Sequence, residues 1–161
     1  MKIGIITYHR AKNLGAMLQS YALQKTLEKY KGKCEIIDYR NEKMEESYKV
    51  KKIWECKSLK EKIKNIIFMK KNKAFEEVRK EFNEKVQTIS TKKYNKNNIK
   101  EANNDYDLFV TGSDQVWNVK LNYDDENYFL NFAEDNNKKN SYAASFGTNK
   151  INEEQKEKIC N

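Results

Sequence analysis

Ser113, Asp114 and Gln115 place a hydroxyl, a carboxylate and an amide on three consecutive residues, directly behind Gly112. Together they offer more hydrogen-bonding capacity than a simple turn requires, which suits a loop that holds a polar ligand. Gly-Ser-Asp is also ordinary turn chemistry, so spacing alone leaves a binding loop and a plain turn both open. The rest of the chain is sparing with reactive groups. His9 is the one imidazole, and Arg10, Arg40 and Arg79 are the only guanidinium groups. Cys34, Cys56 and Cys160 are odd in number, far apart and without a Cys-x-x-Cys pair, which argues against structural zinc and against a disulfide scaffold.

The loop must be positioned by the run before it. Leu108, Phe109 and Val110 are continuously apolar, as in a strand buried on both faces, and Gly112 allows a sharp exit from that strand. Ligands of open α/β sheets collect at such carboxyl ends. The start of the chain has the pattern of a first βα unit, with a short strand at Ile3, Gly4, Ile5 and Ile6, a loop from Thr7 to Asn13, and a helix from Gly15 to about Tyr30. Ala16, Leu18, Tyr21, Ala22, Leu23 and Leu27 are expected to supply its apolar surface. A second strand over residues 35–39 makes a right-handed parallel crossover the default. Asn13 is placed to cap the helix, and N–H groups near Gly15 would receive an anion. This is neither Gly-x-Gly-x-x-Gly nor a Walker loop, so no dinucleotide or nucleoside triphosphate is expected.

Further strands are expected over residues 86–89, 106–111, 127–132 and 141–147, with a polar helix or loop over 95–104. Two of these strands end in polar or glycine loops that can converge. Asn152, followed by Glu153, Glu154 and Gln155, reads as a capped helix start.

With 161 residues, 38% of them hydrophobic and 35% charged, the chain is a polar single domain by length. No apolar run is long enough to span a bilayer and the first apolar stretch is too short for a signal peptide, so a cytoplasmic location is expected. The net charge of +8 is unevenly spread. Residues 49–100 carry 17 Lys and Arg against 6 Asp and Glu, whereas residues 101–161 sum to −6. The basic segment reads as helix, with Ile53, Trp54, Leu59, Ile63, Ile66, Ile67, Phe75, Val78 and Phe82 on one apolar stripe. A solvated helical face is one reading; attraction to a polyanion, such as an acidic glycan, a phosphorylated lipid surface or RNA, is the other. Without interleaved aromatics or a nucleic-acid-binding motif, specific nucleic-acid readout is not expected.

Thr7-Tyr8-His9, Asn13-Leu14-Gly15-Ala16, Leu18-Gln19, Tyr21-Ala22-Leu23, Gly112-Ser113-Asp114-Gln115-Val116-Trp117-Asn118, Tyr128-Phe129-Leu130 and Ser141-Tyr142-Ala143-Ala144-Ser145-Phe146-Gly147 resemble, in order and spacing, the polysaccharide pyruvyl transferase family. The resemblance implies an α/β, Rossmann-like parallel sheet flanked by helices. It is similar to the amino-terminal lobe of a two-lobed, type B glycosyltransferase-like protein. Residues 1–161 would form that lobe, with a basic helical insertion at about 42–85 and no carboxyl-terminal lobe.

The implied activity is transfer of pyruvyl from phosphoenolpyruvate to sugar hydroxyls of a cell-surface polysaccharide, without a cofactor or metal. Isolated, the lobe is expected to be inactive, and an exposed lobe interface favours self-association. The alternative is a non-catalytic module that binds an acidic glycan or a partner protein through the basic helices. By the resemblance, Asn13, Gly15 and Gln19 line a first loop, Gly112, Ser113, Asp114 and Gln115 a second, and Ser145, Phe146 and Gly147 a third. Asp114 would act as general base or hold a sugar hydroxyl, or else only cap a backbone N–H. His9 would act as acid or orient substrate, or else be structural. Trp117 would stack on a sugar or pack in the core, and Tyr21 and Tyr142 would be core or supporting residues.

Overall fold

A computed structural model describes residues 1–49, 53–151, 153 and 156. Its centre is a five-stranded, all-parallel sheet of strands β1 (Lys2–Ile6), β2 (Lys33–Tyr39), β3 (Ile89–Tyr94), β4 (Leu108–Asp114) and β5 (Lys139–Ala144), in the order β3-β2-β1-β4-β5. Helix α1 (Leu14–Lys31) joins β1 to β2. Helices α2 (Glu42–Ser47) and α3 (Leu59–Lys85) lie between β2 and β3, and a short α4 (Val119–Asn122) follows β4. This is an α/β, Rossmann-like arrangement.

Alternation along the central strands builds a core on each side of the sheet. Ile3, Ile5, Ile36 and Val110 pack with Leu23 of α1 on one face. Ile6, Ile37 and Phe109 point to the other, where Tyr94, Tyr106, Tyr128, Leu130 and Phe132 close over them. Edge-on ring contacts, such as Phe109–Phe132 with centroids 4.9 Å apart, knit this aromatic side together.

Helix α1 starts where Asn13 accepts from the Gly15 N–H at 2.7 Å. Its buried face differs from the expected one: Leu18 and Ala22 are exposed, whereas Met17, Ser20 and Gln24 are buried. The reason is a polar staple. The Gln24 amide donates to the carbonyls of Cys34 and Thr88, at 2.9 Å each, and accepts from the Thr88 N–H at 3.1 Å. The helix is thereby tied to β2 and to the entry of β3, with the amide's burial compensated by hydrogen bonds.

Three expected strands shift. The segment expected as a strand over residues 86–89 ends instead in β3, which starts at Ile89, because Gln87 is buried and donates to Ser20 Oγ at 2.7 Å. Residues 127–132 form no strand: a 3-10 turn spans Glu126–Phe129 and Leu130 adopts a left-handed φ of 64°. Asp125 accepts from the Asn127 N–H and starts that turn, which delivers Tyr128, Leu130 and Phe132 to one core. The last strand begins earlier than expected, at Lys139, and ends at Ala144, leaving Ser145 to Gly147 as loop. The helix expected from Asn152 falls largely outside the described residues.

Candidate functional site

The sheet order reverses between β1 and β4, so their carboxyl ends open a crevice at the position where α/β sheets bind ligands. Thr7 leaves β1 here, and Gly112, Ser113 and Asp114 complete β4. Gln19 of α1 bridges the two ends: its amide donates to Thr7 Oγ1 at 2.9 Å, and Ser113 Oγ donates to its carbonyl at 2.5 Å. Three side chains from two loops and a helix thus hold one another in register. Asn13 and Gly15 stand exposed at the helix start, their polar groups joined in the cap.

The second and third loops are joined by backbone. Ser145 N–H donates to the Asp114 carbonyl at 3.0 Å, and Trp117 N–H donates to the Ser145 carbonyl at 3.2 Å. The half-buried Asp114 carboxylate accepts from the Gln115 N–H at 2.8 Å, and the residue has a φ of 89°. Asn118 donates from its amide to Gln115 Oε1 at 2.9 Å, beside Gly147. Trp117 stacks on Phe129, with centroids 6.0 Å apart, and meets Phe146 at 5.3 Å. Its indole N–H donates to the Tyr128 carbonyl. Trp117 and Phe146 therefore form a braced aromatic wall.

That wall lines an open cavity of about 480 Å³ whose rim carries Asn118, Lys120, Thr148 and Lys150. Among the described residues Lys120 and Lys150 are the cations lining this cavity, and sequence reasoning missed them because neither belongs to a local pattern. An aromatic floor, hydroxyl and amide groups and two ammonium groups suit a sugar-like or anionic ligand.

His9 is buried beside Thr7 and does not line that cavity. It is 2% exposed, and its ring nitrogens face the Thr7 carbonyl at 3.3 Å and the Asp38 carboxylate at 3.4 Å. Asp38, at the end of β2, also pairs with Arg40 at 2.9 Å and Arg10 at 3.4 Å, and Arg10 in turn pairs with Glu45. Burial pushes the Asp38 pKa up, but hydrogen bonds from His9 and Arg40 and the charges of His9 and Arg10 outweigh it. They hold the carboxyl well below the ordinary carboxylate range. The one signal for this cluster in the sequence was an acid at the end of an apolar strand.

Because the folded state lowers its pKa, Asp38 contributes stability that is present above its ordinary value of 3.8 and lost as the pH falls through the lowered one. Asp38→Asn leaves His9, Arg10 and Arg40 without their shared carboxylate and is expected to cost about 3 kcal/mol at neutral pH. Thermal midpoints measured from pH 7 down to about pH 2 should keep a constant gap between wild type and variant above the ordinary value of 3.8 and show a narrowing gap below it; a gap that does not narrow below that value would contradict this assignment.

Among the described residues no group of three or more His, Cys, Asp or Glu side chains is arranged to hold a metal ion. The family model for polysaccharide pyruvyl transferase matches residues 13–161. No curated protein and no solved structure matches the chain.

Proposed function

Since the chain belongs to the polysaccharide pyruvyl transferase family, we propose that it supplies the amino-terminal lobe of a cytoplasmic enzyme that moves pyruvyl from phosphoenolpyruvate onto sugar hydroxyls of a cell-surface polysaccharide. The family match over residues 13–161 carries this reading. The convergence of three loops at the carboxyl edge of the sheet supports it.

The reaction sets definite requirements. The methylene carbon of the enol ester takes up a proton and becomes a methyl group, leaving cationic character on the carbon that bears the phosphate. A sugar hydroxyl attacks that carbon and gives up its proton, phosphate departs, and a second hydroxyl closes the ketal with loss of its own proton. A base must sit by the hydroxyls and cations by the phosphate and carboxylate.

In this reading Asp114 receives the hydroxyl proton: one carboxylate oxygen accepts from Gln115 N–H, and the other makes no hydrogen bond among the described residues. Gln19 and Ser113 fix the ends of the first and second loops in register, and Asn13, Gly15, Gln115 and Ser145 belong to the three loops that meet there. Trp117 and Phe146 offer the sugar an apolar face, with Gly147 keeping the third loop close to Gln115. Lys120 and Lys150 meet the anionic donor. His9 fixes Asp38 and the first loop and acts as a positioning residue. The second lobe completes the cation set, so this lobe alone does not turn over.

The donor assignment is tested by titrating phosphoenolpyruvate into the chain and into Lys120→Gln/Lys150→Gln. The double variant is expected to bind about tenfold more weakly. Equal affinities would place the donor away from this cavity.

A further inference from the structure

We propose that the amino-terminal half of α3, with Trp54 ahead of it, docks onto an anionic lipid bilayer. The helix is 27 residues long and has no buried residue among those described. At that length it extends about 40 Å. Helices of soluble domains owe most of their stability to an apolar face packed on the core. Here Leu59, Ile63, Ile66 and Ile67 recur at the spacing of one helix face, and each is 41 to 75% exposed. Trp54 is 77% exposed, and Phe68 and Met69 add further exposed apolar surface. Beside them Lys64, Ile67, Phe68 and Lys71 line an open groove of about 460 Å³.

Charge selects the occupant. Residues 56–75 hold seven lysines and one glutamate, whereas residues 76–85 hold three basic and four acidic residues. The second half neutralises itself through the pairs Arg79–Glu76, Lys80–Glu84 and Lys85–Glu81, and Phe82 packs on Tyr21 of α1. In the first half Lys62, Lys64, Lys70, Lys71 and Lys73 make no ion pair with any described residue. The apolar surface and the surplus of positive charge therefore coincide on the same stretch.

A second copy pairing through this same face would bring that charge against itself, which is repulsive. A single-stranded nucleic acid stacks on aromatic rings, whereas this face is mainly aliphatic. An anionic bilayer matches both features at once: branched side chains enter the headgroup boundary, and lysines extend along their stems to the lipid phosphates. No helix among the described residues is long and apolar enough to cross a membrane, so α3 would lie in the interface plane. The inference does not depend on the transferase reading.

Co-sedimentation of the chain with vesicles tests it. Vesicles of phosphatidylcholine containing phosphatidylglycerol should bind at least about tenfold more tightly than phosphatidylcholine alone. Added salt should weaken the binding. Lys62→Gln, Lys64→Gln, Lys70→Gln and Lys71→Gln should each lower it by roughly fivefold. Ile63→Asp/Ile67→Asp should lower it about tenfold or more while leaving the thermal midpoint unchanged, because both side chains are already exposed. No binding to the anionic vesicles would overturn the proposal, and so would undiminished binding by the Ile63→Asp/Ile67→Asp variant. Capture of polyuridylate or of polyglutamate without vesicle binding would overturn it in favour of a different polyanion.

Discussion

Gly112→Ala is expected to lower the thermal midpoint by roughly 6–12 °C, corresponding to about 3 kcal/mol for a domain of this size. Gly112 has a φ of 122°, which side-chain-bearing residues rarely adopt, and an added Cβ would lie 2.1 Å from the Tyr142 carbonyl oxygen. That atom belongs to the backbone of β5, paired with β4 at this residue, and it has no rotamer through which to withdraw. Relief requires the two strands to part at the point where they carry the second and third loops. Gly147→Ala is the control. Its φ is 63° and its Cβ would also meet an atom at 2.1 Å, but that atom is the end of the Gln115 side chain, which can swing aside. About 1 kcal/mol, or 2–4 °C, is expected there. Differential scanning calorimetry separates the two, and equal losses would show that the β4–β5 contact is not what Gly112 protects.

The largest functional effect is expected of Asp114→Asn, assayed in a two-lobed protein containing this chain. A fall of about 10²–10⁴ in kcat with a nearly unchanged KM is predicted if the carboxylate accepts the hydroxyl proton. Asparagine is the substitution of choice. Its side-chain oxygen can still accept from Gln115 N–H, and it tolerates the positive φ better than alanine does, so the loop should survive. A thermal midpoint equal to that of wild type would confirm this. Unchanged kcat in a folded variant would reduce Asp114 to a loop-capping residue.

The strands nearest the crevice were legible because burial on both faces leaves an unbroken apolar run, as at Leu108, Phe109 and Val110, and because Gly112 marks the exit. The Asn13 cap was legible for the same local reason. What escaped reading depended on distant partners. Gln24 looks like a solvent-facing helix residue until Cys34 and Thr88 supply its hydrogen bonds. The aromatic run around Tyr128 has strand propensity, yet the Asp125 cap turns it, and packing rather than propensity decides. At the site, the second loop declared itself through consecutive polar residues. The Asp38 cluster joins residues 28 and 29 positions apart, and Lys120 and Lys150 meet only across a cavity.

The polarity of α3 shows the same limit. Periodicity identified an apolar stripe and composition a basic segment, but only the fold reveals that the stripe's first half stays uncovered where the lysines concentrate. A folded domain normally buries such a stripe.

Pyruvyl transfer is measured as phosphate release from phosphoenolpyruvate together with mass-spectrometric detection of a pyruvyl ketal on a panel of sugar acceptors. The chain is assayed alone and extended by a second lobe. Acceptor-dependent phosphate release and ketal formation by the extended protein, with neither from the chain alone, is the predicted result. Turnover by the chain alone would contradict the need for a second lobe, and an extended, folded protein that forms no ketal with any acceptor would contradict the transferase assignment itself.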